Sequence, residues 1–513
     1  MGTTLRRIGL AAVAAALVAG CTSGGDDESA GAERSTTTTT APAFVEDPTF
    51  VEGDCWWDLP DKPAEVTVTC GTVDVPADRS DVDSDMISLP VMRVHHEQSD
   101  PDAAPVLLLH GGPGGDLLEK APTAALTLPG LTDRDVLLWD QRGSGRSEPS
   151  LNCPEKEIAA VEALGAAAPF DEELETNLTA AATCRERLVA SGIDLDMYDT
   201  PTSVADMESI REALGLEQWN LLGASYGTRI GLAYSREHPD RVRALVIDSV
   251  YPTQIGGVER AREAPNQAFE RLIEACADDT ACNESYPDLG ATFDDAVAEL
   301  DARPEVLTAT VEVAGETSER TFELTGADLR SGMFAAMYDT TLIPLIPGIL
   351  TAIADGDRSI LASFVSMAMP RIVGLSEGAF FAIDCADSGR QLEGATSEEL
   401  AGDGENSLYS FISSQLHCET WDVEFVPESF EEPALPDVPT LVFAGTLDPI
   451  TPYQDSVDQA EAMPNARFVG VPRAGHGARG FNDCTTSAWV GFLTDPEAPL
   501  PTCVESIEPL PFS

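Results

Sequence analysis

Short apolar runs alternate with amphipathic segments over most of the chain, and this alternation predicts a sheet connected by helices. In "EVTVTCGTVDVP" and "MISLPVMRVHHE" the residues alternate or run apolar, as in partly buried strands. "PVLLL", "DVLLW" and "RALVI" are short apolar runs typical of buried strands. "SVADMESIREALG" has helical spacing, and we expect Ser203 to open that helix and Gly215 to close it. Strands that alternate with helices indicate a parallel sheet with right-handed crossovers, and therefore an α/β fold.

The alternation breaks between residues 252 and 435, where the pattern is mostly helical. "NQAFERLIEAC", "DLRSGMFAAMY" and "LIPGILTAIADG" have helical spacing, and "TATVEVAGETSERTFEL" predicts one hairpin. Strand-like runs return in "VPTLVFAGTLDP" and "ARFVGVPRAGHG". We therefore expect one α/β core, formed by residues 49–251 and 436–513, that is interrupted by a helical lid at residues 252–435.

The N-terminal segment has the composition of an export signal followed by a tether. Arg6 and Arg7 precede "IGLAAVAAALVAG", an apolar run too short to span a membrane as a mature helix. "LVAGC" is similar to a bacterial lipobox, so we expect residues 1–20 to be removed and Cys21 to carry a lipid anchor on the outer face of the cell membrane. The alternative is a plain signal peptide. Residues 21–48 are polar and of low complexity, which predicts a flexible tether.

Cysteine content agrees with export. The chain has 11 cysteines, and ten remain when Cys21 is set aside. An even number of cysteines outside the cytosol suggests disulfides, although the sequence leaves their connectivity open. Neighbour pairing is the simplest arrangement, which would join residues 55–70, 153–184, 276–282, 385–418 and 484–503. No C-x-x-C motif or His/Cys cluster predicts a metal site.

Charge excludes some partners. The chain has 88 acidic residues against 30 lysines and arginines, for a formal net charge of −58. Such a surface repels nucleic acid and anionic lipid headgroups, so we expect a soluble exterior and no nucleic-acid partner. The oligomeric state does not follow from the sequence.

Residues 221–231, "LLGASYGTRIG", contain a G-x-S-x-G motif between a strand-like run and a helix-like run. In this motif the serine lies on a sharp strand-to-helix turn that exposes its hydroxyl. We expect a side chain at Gly223 or Gly227 to collide with the neighbouring element. A second match, "GLSEG" around Ser376, follows no comparable strand. Ser225 is therefore the expected nucleophile.

A serine nucleophile needs a base that a third group orients. Among six histidines, His476 is distinguished because "GVPRAGHG" places it in a glycine-flanked loop directly after a late strand. Asp448 follows the strand "TLVFAG", which predicts a carboxylate at the carboxyl edge of the sheet. Ser225, Asp448 and His476 follow the nucleophile–acid–base order of the α/β-hydrolases. Asp248, which follows the preceding strand, is the alternative acid.

Acyl transfer also needs N–H donors for a developing oxyanion. We expect one donor to be the backbone N–H of Tyr226, directly after the nucleophile. The other should come from the glycine loop "HGGPGG" at residues 110–115, where Gly112 is the candidate. A tight turn at this loop would require glycine in any case.

Five motifs together resemble a known family. "HGGPGG", "WDQRGSGRS", "GASYG", "AGTLDPITP" and "AGHG" are similar in order and spacing to the proline iminopeptidase branch of the α/β-hydrolases. Within it, "AIDCAD" at residues 382–387 and "FNDC" after the histidine resemble the tripeptidyl aminopeptidase (TAP-like) group, which includes a mycobacterial cell-envelope lipoprotein long called carboxylesterase A. The resemblance covers about residues 50–505. It implies an α/β-hydrolase fold with a mostly parallel sheet, helices on both faces and a large helical lid. Related H-G-x-P loops also imply a cis Gly112–Pro113 bond.

The resemblance implies serine acyl transfer without a cofactor, on a peptide or an ester, because this scaffold hosts both activities. An aminopeptidase would also need a carboxylate for the free α-amine, and Glu377, Asp384 and Asp387 lie near the return of the lid to the core. We expect an exported serine hydrolase that releases short peptides from free N-termini through an acyl-enzyme. The alternatives are a carboxylesterase with the same triad, an endopeptidase and an inactive binding protein.

Overall fold

The computed structural model of the chain describes residues 48–57, 62–119, 130–167, 169–363, 374–392 and 417–513, together with residues 126, 128 and 365. The predicted signal at residues 1–20, Cys21 and all of the tether up to residue 47 lie outside the described residues. Within the described ranges, no helix combines the length and the apolar character that a membrane span requires.

Eleven strands within the described ranges form one large sheet and one separate hairpin. They are β1 (Phe50–Gly53), β2 (Val66–Pro76), β3 (Met86–His96), β4 (Val106–Leu109), β5 (Val136–Trp139), β6 (Trp219–Ser225), β7 (Val242–Val250), β8 (Glu305–Val313), β9 (Glu316–Leu324), β10 (Thr440–Gly445) and β11 (Ala466–Val471).

The large sheet has nine strands in the order β1-β2-β3-β5-β4-β6-β7-β10-β11. β1, β2 and β3 are antiparallel to one another, and β3 is antiparallel to β5. From β5 to β11 all neighbouring strands are parallel. The carboxyl ends of these strands therefore meet at one edge of the sheet, which is where open α/β sheets bind ligands.

Thirteen helices of the described residues connect and cover the strands. They are α1 (Pro154–Ala166), α2 (Phe170–Ala190), α3 (Thr200–Ala213), α4 (Tyr226–Glu237), α5 (Gly257–Asp278), α6 (Thr280–Ser285), α7 (Leu289–Ala302), α8 (Gly326–Tyr338), α9 (Ile346–Ala354), α10 (Glu377–Ser388), α11 (Cys418–Trp421), α12 (Tyr453–Ala462) and α13 (Asp483–Thr494).

Both faces of the parallel sheet are buried, as the continuous apolar runs predict. All four residues of β5 and all six residues of β10 are buried. Successive side chains of a strand point to opposite faces. Accordingly Leu221 packs with Ile230 of α4 in one core cluster, and Leu222 packs with Trp489 of α13 in another. The helices therefore lie on both faces of the sheet.

The start of α3 differs from the sequence-based expectation. The helix begins at Thr200 and not at Ser203, because Asp199 caps it: the Asp199 carboxylate accepts the N–H of Thr202 at 2.7 Å. The hydroxyl of Thr202 accepts the N–H of Asp199 in return, at 3.2 Å, which completes a capping box. Ser203 lies inside the helix and donates its hydroxyl to the Asp199 carbonyl at 2.9 Å. The prediction that Ser203 opens the helix was wrong.

Residues 252–435 lie between β7 and β10, and their described part is mostly helical with the predicted hairpin, β8 paired to β9. This part has its own apolar core, to which Phe293, Phe322 and Met333 belong. The sequence analysis missed the helices α1 and α2. α1 packs against β9, and the carboxylate of Glu157 accepts the N–H of Ala314 at the tip of the hairpin, at 2.7 Å.

Neighbouring cysteines form all five predicted disulfides. The bonds join Cys55–Cys70, Cys153–Cys184, Cys276–Cys282, Cys385–Cys418 and Cys484–Cys503. Cross-links of this kind stabilise the native state mainly because they restrict the unfolded chain. One of them ties α10 to the start of α11.

Candidate active site

Ser225 lies at the junction between β6 and α4. Its backbone has φ 56° and ψ −129°, an unusual conformation for a residue other than glycine and one that is frequent at functional sites. The turn is tight, because a Cβ on Gly223 would lie 2.5 Å from the Gly227 carbonyl oxygen, and a Cβ on Gly227 would overlap the Leu109 carbonyl. Both glycines are therefore required by close approach of the backbone, as predicted.

The imidazole of His476 contacts a fully buried carboxylate. Its Nδ1 lies 2.9 Å from Oδ2 and 3.1 Å from Oδ1 of Asp448. Asp448 also accepts the N–H groups of Ile450 and Thr451, at 3.0 and 2.9 Å. Burial raises the pKa of this carboxyl, but the charge of His476 and these hydrogen bonds outweigh burial and hold the pKa below its usual range. An ionised Asp448 fixes the proton on Nδ1, which leaves Nε2 as the basic nitrogen.

A hydroxyl that the sequence analysis did not single out completes this pair. Thr451 donates its hydroxyl to Oδ2 of Asp448 at 2.8 Å, and the hydroxyl oxygen of Thr451 lies 3.2 Å from Nδ1 of His476. The signal was present in "DPIT", because a threonine three residues after an aspartate can close a local turn with it.

The loop with His476 lies over the carboxyl end of β6. The N–H of Gly477 donates to the hydroxyl of Ser249 at 2.9 Å, and Val250, the next residue, pairs in register with Ser225. Among the described residues, no hydrogen bond joins the Ser225 hydroxyl to His476. Such contacts are often long in a free enzyme and tighten when substrate binds.

Asp248, the alternative acid, holds the loop and not the imidazole. Its carboxylate accepts the N–H groups of Ala478 and Arg479, at 2.8 and 2.9 Å, and pairs with the Arg479 guanidinium at 3.2 Å. The two carboxylates at this edge thus have different partners. Asp448 contacts the ring of His476, and Asp248 anchors the residues that follow it.

The glycine loop lies directly against Ser225. A Cβ on Gly111 would lie 2.8 Å from Cβ and 3.2 Å from Oγ of Ser225. Gly112 is the next residue, and the Gly112–Pro113 bond is cis, as expected. The N–H of Tyr226 belongs to the first turn of α4, where N–H groups have no acceptor within the helix. The oxyanion-binding roles of Gly112 and Tyr226 stay predictions.

Ser376, the serine of the second motif, makes contacts of a structural kind. Its N–H donates to the Gly114 carbonyl at 2.8 Å. Its hydroxyl donates to Asn152 Oδ1 at 2.5 Å and accepts the N–H of Gly145 at 3.0 Å. Ser376 therefore fastens the start of α10 to the glycine loop, and no histidine is among these partners.

The three carboxylates proposed for substrate recognition lie on α10 in different surroundings. Asp387 pairs with the Arg229 guanidinium at 3.0 Å and accepts the N–H of Thr200 at 3.2 Å as well as its hydroxyl. The same hydroxyl lies 2.7 Å from the hydroxyl of Tyr226. Burial raises the pKa of Asp387, and these partners oppose that rise. The charge of Asp387 is thus already engaged within the protein.

Asp384 and Glu377 are less well compensated. Asp384 is 7% exposed, and no described cation lies within 4 Å of its carboxylate. Burial, followed by the charge of Asp387, raises the pKa of Asp384 to about 6. Burial also raises the pKa of Glu377 to about 8, although the charge of Lys156 opposes this rise, and Oε2 of Glu377 has no hydrogen-bond partner among the described residues. In the described part of the chain, no group of three His, Cys, Asp or Glu side chains could hold a metal ion.

Comparisons with known proteins agree with this fold. The family model described as alpha/beta hydrolase fold matches residues 104–301, and the model described as TAP-like protein matches residues 409–503. The serine protease Hip1 of Mycobacterium tuberculosis is 27% identical over 421 residues, which cover 77% of this chain and 79% of that protein.

Two aminopeptidases are also similar. The tripeptidyl aminopeptidase of Streptomyces lividans is 27% identical over 456 residues, which cover 83% of this chain and 81% of that protein. The proline iminopeptidase of Neisseria meningitidis serogroup B is 30% identical over 212 residues, which cover 36% of this chain and 53% of that protein. The chain is a hydrolase, and it belongs to the α/β-hydrolase family, in the branch that contains the TAP-like proteins and the proline iminopeptidases.

Proposed function

We propose that the protein is a serine aminopeptidase that releases short peptides from free N-termini through an acyl-enzyme on Ser225. The observation that carries this proposal is the buried contact between Asp448 and Nδ1 of His476, beside the strained turn of Ser225. A base oriented in this way can take the proton of a serine hydroxyl through Nε2.

The proposed reaction has two stages, acylation of Ser225 and hydrolysis of the acyl-enzyme. Ser225 Oγ attacks the scissile carbonyl while its proton passes to His476, and the N–H groups of Tyr226 and Gly112 stabilise the oxyanion. The C–N bond breaks, and His476 gives its proton to the leaving amine. Water next attacks the acyl-enzyme and loses a proton to His476. Ser225 recovers that proton as the N-terminal peptide leaves.

The preference for a free N-terminus is assigned first to Asp384. A desolvated carboxylate that no described cation contacts is suited to bind the ammonium group of a substrate. Asp387 is a weaker candidate because Arg229 and Thr200 already bind it. Glu377 is also weaker, because burial raises its pKa to about 8, so that the carboxyl is mostly neutral near pH 7.

One peptide in two forms tests this proposal. A tripeptide amide is supplied with a free or an acetylated N-terminus to the wild type and to Asp384→Asn, Asp387→Asn and Glu377→Gln. We expect acetylation to lower kcat/KM of the wild type by at least about 10²-fold, equivalent to roughly 2.7 kcal/mol. Asp384→Asn should remove most of that difference.

A simple activated ester is the control substrate, because it needs little binding energy to acylate the serine. All three variants should hydrolyse it at rates near that of the wild type, apart from any loss of folded protein. Equal cleavage of the free and the acetylated peptide would refute the amine site. Esterase or endopeptidase activity would then be the better assignment.

Export and lipid anchoring at Cys21 are part of the same proposal. The lipobox-like sequence and the five disulfides support it, because disulfides persist in oxidising compartments. Labelled palmitate should be incorporated into the wild type in a bacterial host that processes lipoproteins. The Cys21→Ala variant should incorporate no palmitate. In detergent phase partitioning, this variant should be found in the aqueous phase and the wild type in the detergent phase. Retention of label in Cys21→Ala would exclude this anchor.

A further inference from the structure

The last residue of α8 and the segment that follows it contact the backbone at Gly475 and His476. The N–H of His476 donates to the carbonyl of Tyr338 at 3.2 Å, and the N–H of Gly475 donates to the hydroxyl of Thr340 at 2.9 Å. The ring of Tyr338 also packs edge-on against the imidazole, with the ring centroids 4.7 Å apart. These three contacts join residues of the insertion to the loop that carries the base.

The end of α8 is itself well fixed. Tyr338 packs against Phe334 with centroids 5.1 Å apart, and Met333 and Met337 are fully buried in the apolar core of the insertion. The backbones approach so closely that a Cβ on Gly475 would overlap the Met337 carbonyl. The His476 loop therefore rests on a rigid surface, and glycine at position 475 is required for that approach.

The insertion also contacts the loop that carries the acid. The guanidinium of Arg271, on α5, donates to the carbonyl of Thr446 at 3.1 Å, two residues before Asp448. The hydroxyl of Thr446 in turn accepts the N–H of Arg473 at 2.9 Å. The acid and base loops are thus joined to each other and to the same insertion.

We propose that Thr340 is a positioning residue for His476. Its hydroxyl, together with the Tyr338 carbonyl, fixes the backbone at Gly475 and His476, so that the imidazole keeps Nδ1 on Asp448 and presents Nε2 to Ser225. The lid is then part of the catalytic apparatus and not only a cover over the substrate. This inference rests on the proposed role of His476 as the base. A displacement of about 1 Å in such a group can lower a rate by about 10²-fold.

Two substitutions at one position separate hydrogen bonding from shape. Thr340→Val keeps the branched shape but has no acceptor, whereas Thr340→Ser keeps the hydroxyl. Thr341→Val is the matched control, because Thr341 is exposed and, among the described residues, its hydroxyl bonds to Asp339 alone, at 2.7 Å. The measurements are the rate constant and the final extent of Ser225 labelling by a fluorophosphonate, and kcat and KM for an activated ester.

We expect Thr340→Val to be labelled about tenfold more slowly than the wild type, to the same final extent, because one positioning hydrogen bond is lost. Its kcat should fall by a similar factor with KM unchanged. Thr340→Ser and Thr341→Val should react within about twofold of the wild type, since neither loses the bond to Gly475.

Three results would overturn the inference. Labelling of Thr340→Val at the wild-type rate would show that the hydroxyl does not position the base. Equal losses in Thr340→Val and Thr340→Ser, or a loss confined to the final extent of labelling, would indicate an effect on folding alone. A wild-type protein that is not labelled at Ser225 would refute the proposed function and this inference together. Failure of the inference alone would instead leave the wild type labelled at Ser225.

Discussion

Oδ2 of Asp448 lies 2.9 Å from Nδ1 of His476, and Asp448 is completely buried. Asp248 is equally buried, but its carboxylate binds the N–H groups of Ala478 and Arg479. Two aspartates near the carboxyl ends of adjacent parallel strands, Asp248 within β7 and Asp448 after β10, therefore have separate functions at one edge of the sheet. One orients the imidazole, and the other anchors the loop on which the imidazole lies.

This difference predicts unequal effects of two conservative substitutions. Asp448→Asn should lower kcat by on the order of 10⁴-fold, because the amide cannot hold the required tautomer or stabilise the imidazolium. Asp248→Asn should have a much smaller effect on kcat, since one acceptor oxygen stays available to the loop. Ester turnover, normalised to the number of fluorophosphonate-reactive sites, measures both. Equal losses in the two variants would contradict the assignment of the acid.

The two serine motifs predict a second contrast. Ser225→Ala should abolish fluorophosphonate labelling and turnover. Ser376→Ala should still be labelled, with turnover reduced several-fold, because it loses the contacts of its hydroxyl with Asn152 and Gly145 but keeps the N–H that donates to Gly114. Peptide mapping of the labelled protein locates the modified residue. Label that survives in Ser225→Ala and disappears in Ser376→Ala would reverse the assignment.

Replacement of Asp384 and replacement of Asp387 by asparagine should change the free energy of unfolding in opposite directions. The pKa of an aspartate is near 4 in the unfolded protein, and that of Asp384 is about 6 in the folded protein. Between these pH values the folded protein binds more protons than the unfolded protein, so the free energy of unfolding falls as the pH rises through this range. Asp384→Asn, which cannot ionise, should therefore gain on the order of 1–3 kcal/mol relative to the wild type above about pH 6, and less near pH 4. Urea unfolding at about pH 4.5 and pH 7.5 measures this.

Asp387→Asn should instead destabilise the protein at neutral pH, by about 3–5 kcal/mol, because it leaves the fully buried guanidinium of Arg229 without its anion. The same unfolding experiment serves for both variants. A stabilising effect of Asp387→Asn at neutral pH would contradict the structural role given to its ion pair.

The proposed amine site also predicts how substrate discrimination depends on pH. Asp384 is ionised above about pH 6, and a peptide α-amine is protonated below about pH 8. The ratio of kcat/KM for the free tripeptide amide to that for the acetylated one should therefore be largest between these values and should fall on either side. The ratio isolates this effect, because titration of the base acts on both substrates alike. A ratio that is constant from about pH 5 to pH 9 would exclude Asp384 as the anchor.

The local pattern of apolar and polar residues predicts much of the fold, but it predicts the candidate active site only in part. β6 and β10 are short apolar runs and α4 has apolar residues at helical spacing, so their positions and the turn at Ser225 are predictable from the sequence. The helix start at Thr200 was missed because two nearby polar residues, Asp199 and Ser203, can both cap a helix, and local pattern does not decide between them.

Contacts between distant segments account for what the sequence could not provide. Asp384 and Asp387 stand three residues apart in "AIDCAD", and their different surroundings depend on Arg229 of α4, which lies 158 residues before Asp387. The bond from Gly475 to Thr340 likewise spans 135 residues. Residue type and spacing identify candidates at such positions, but only packing shows which charge is already compensated.

One protection experiment tests the central claim most directly. Wild-type protein reacts with a fluorophosphonate in the presence of a free tripeptide or its N-acetylated form, and the modified peptide is identified by mass spectrometry. We predict that the label is on Ser225 alone. The free tripeptide should slow labelling of the wild type, and the acetylated tripeptide should leave the rate unchanged. In Asp384→Asn, neither tripeptide should slow labelling. Label on another residue, or equal protection by both tripeptides, would contradict a serine aminopeptidase that binds the free N-terminus through this site.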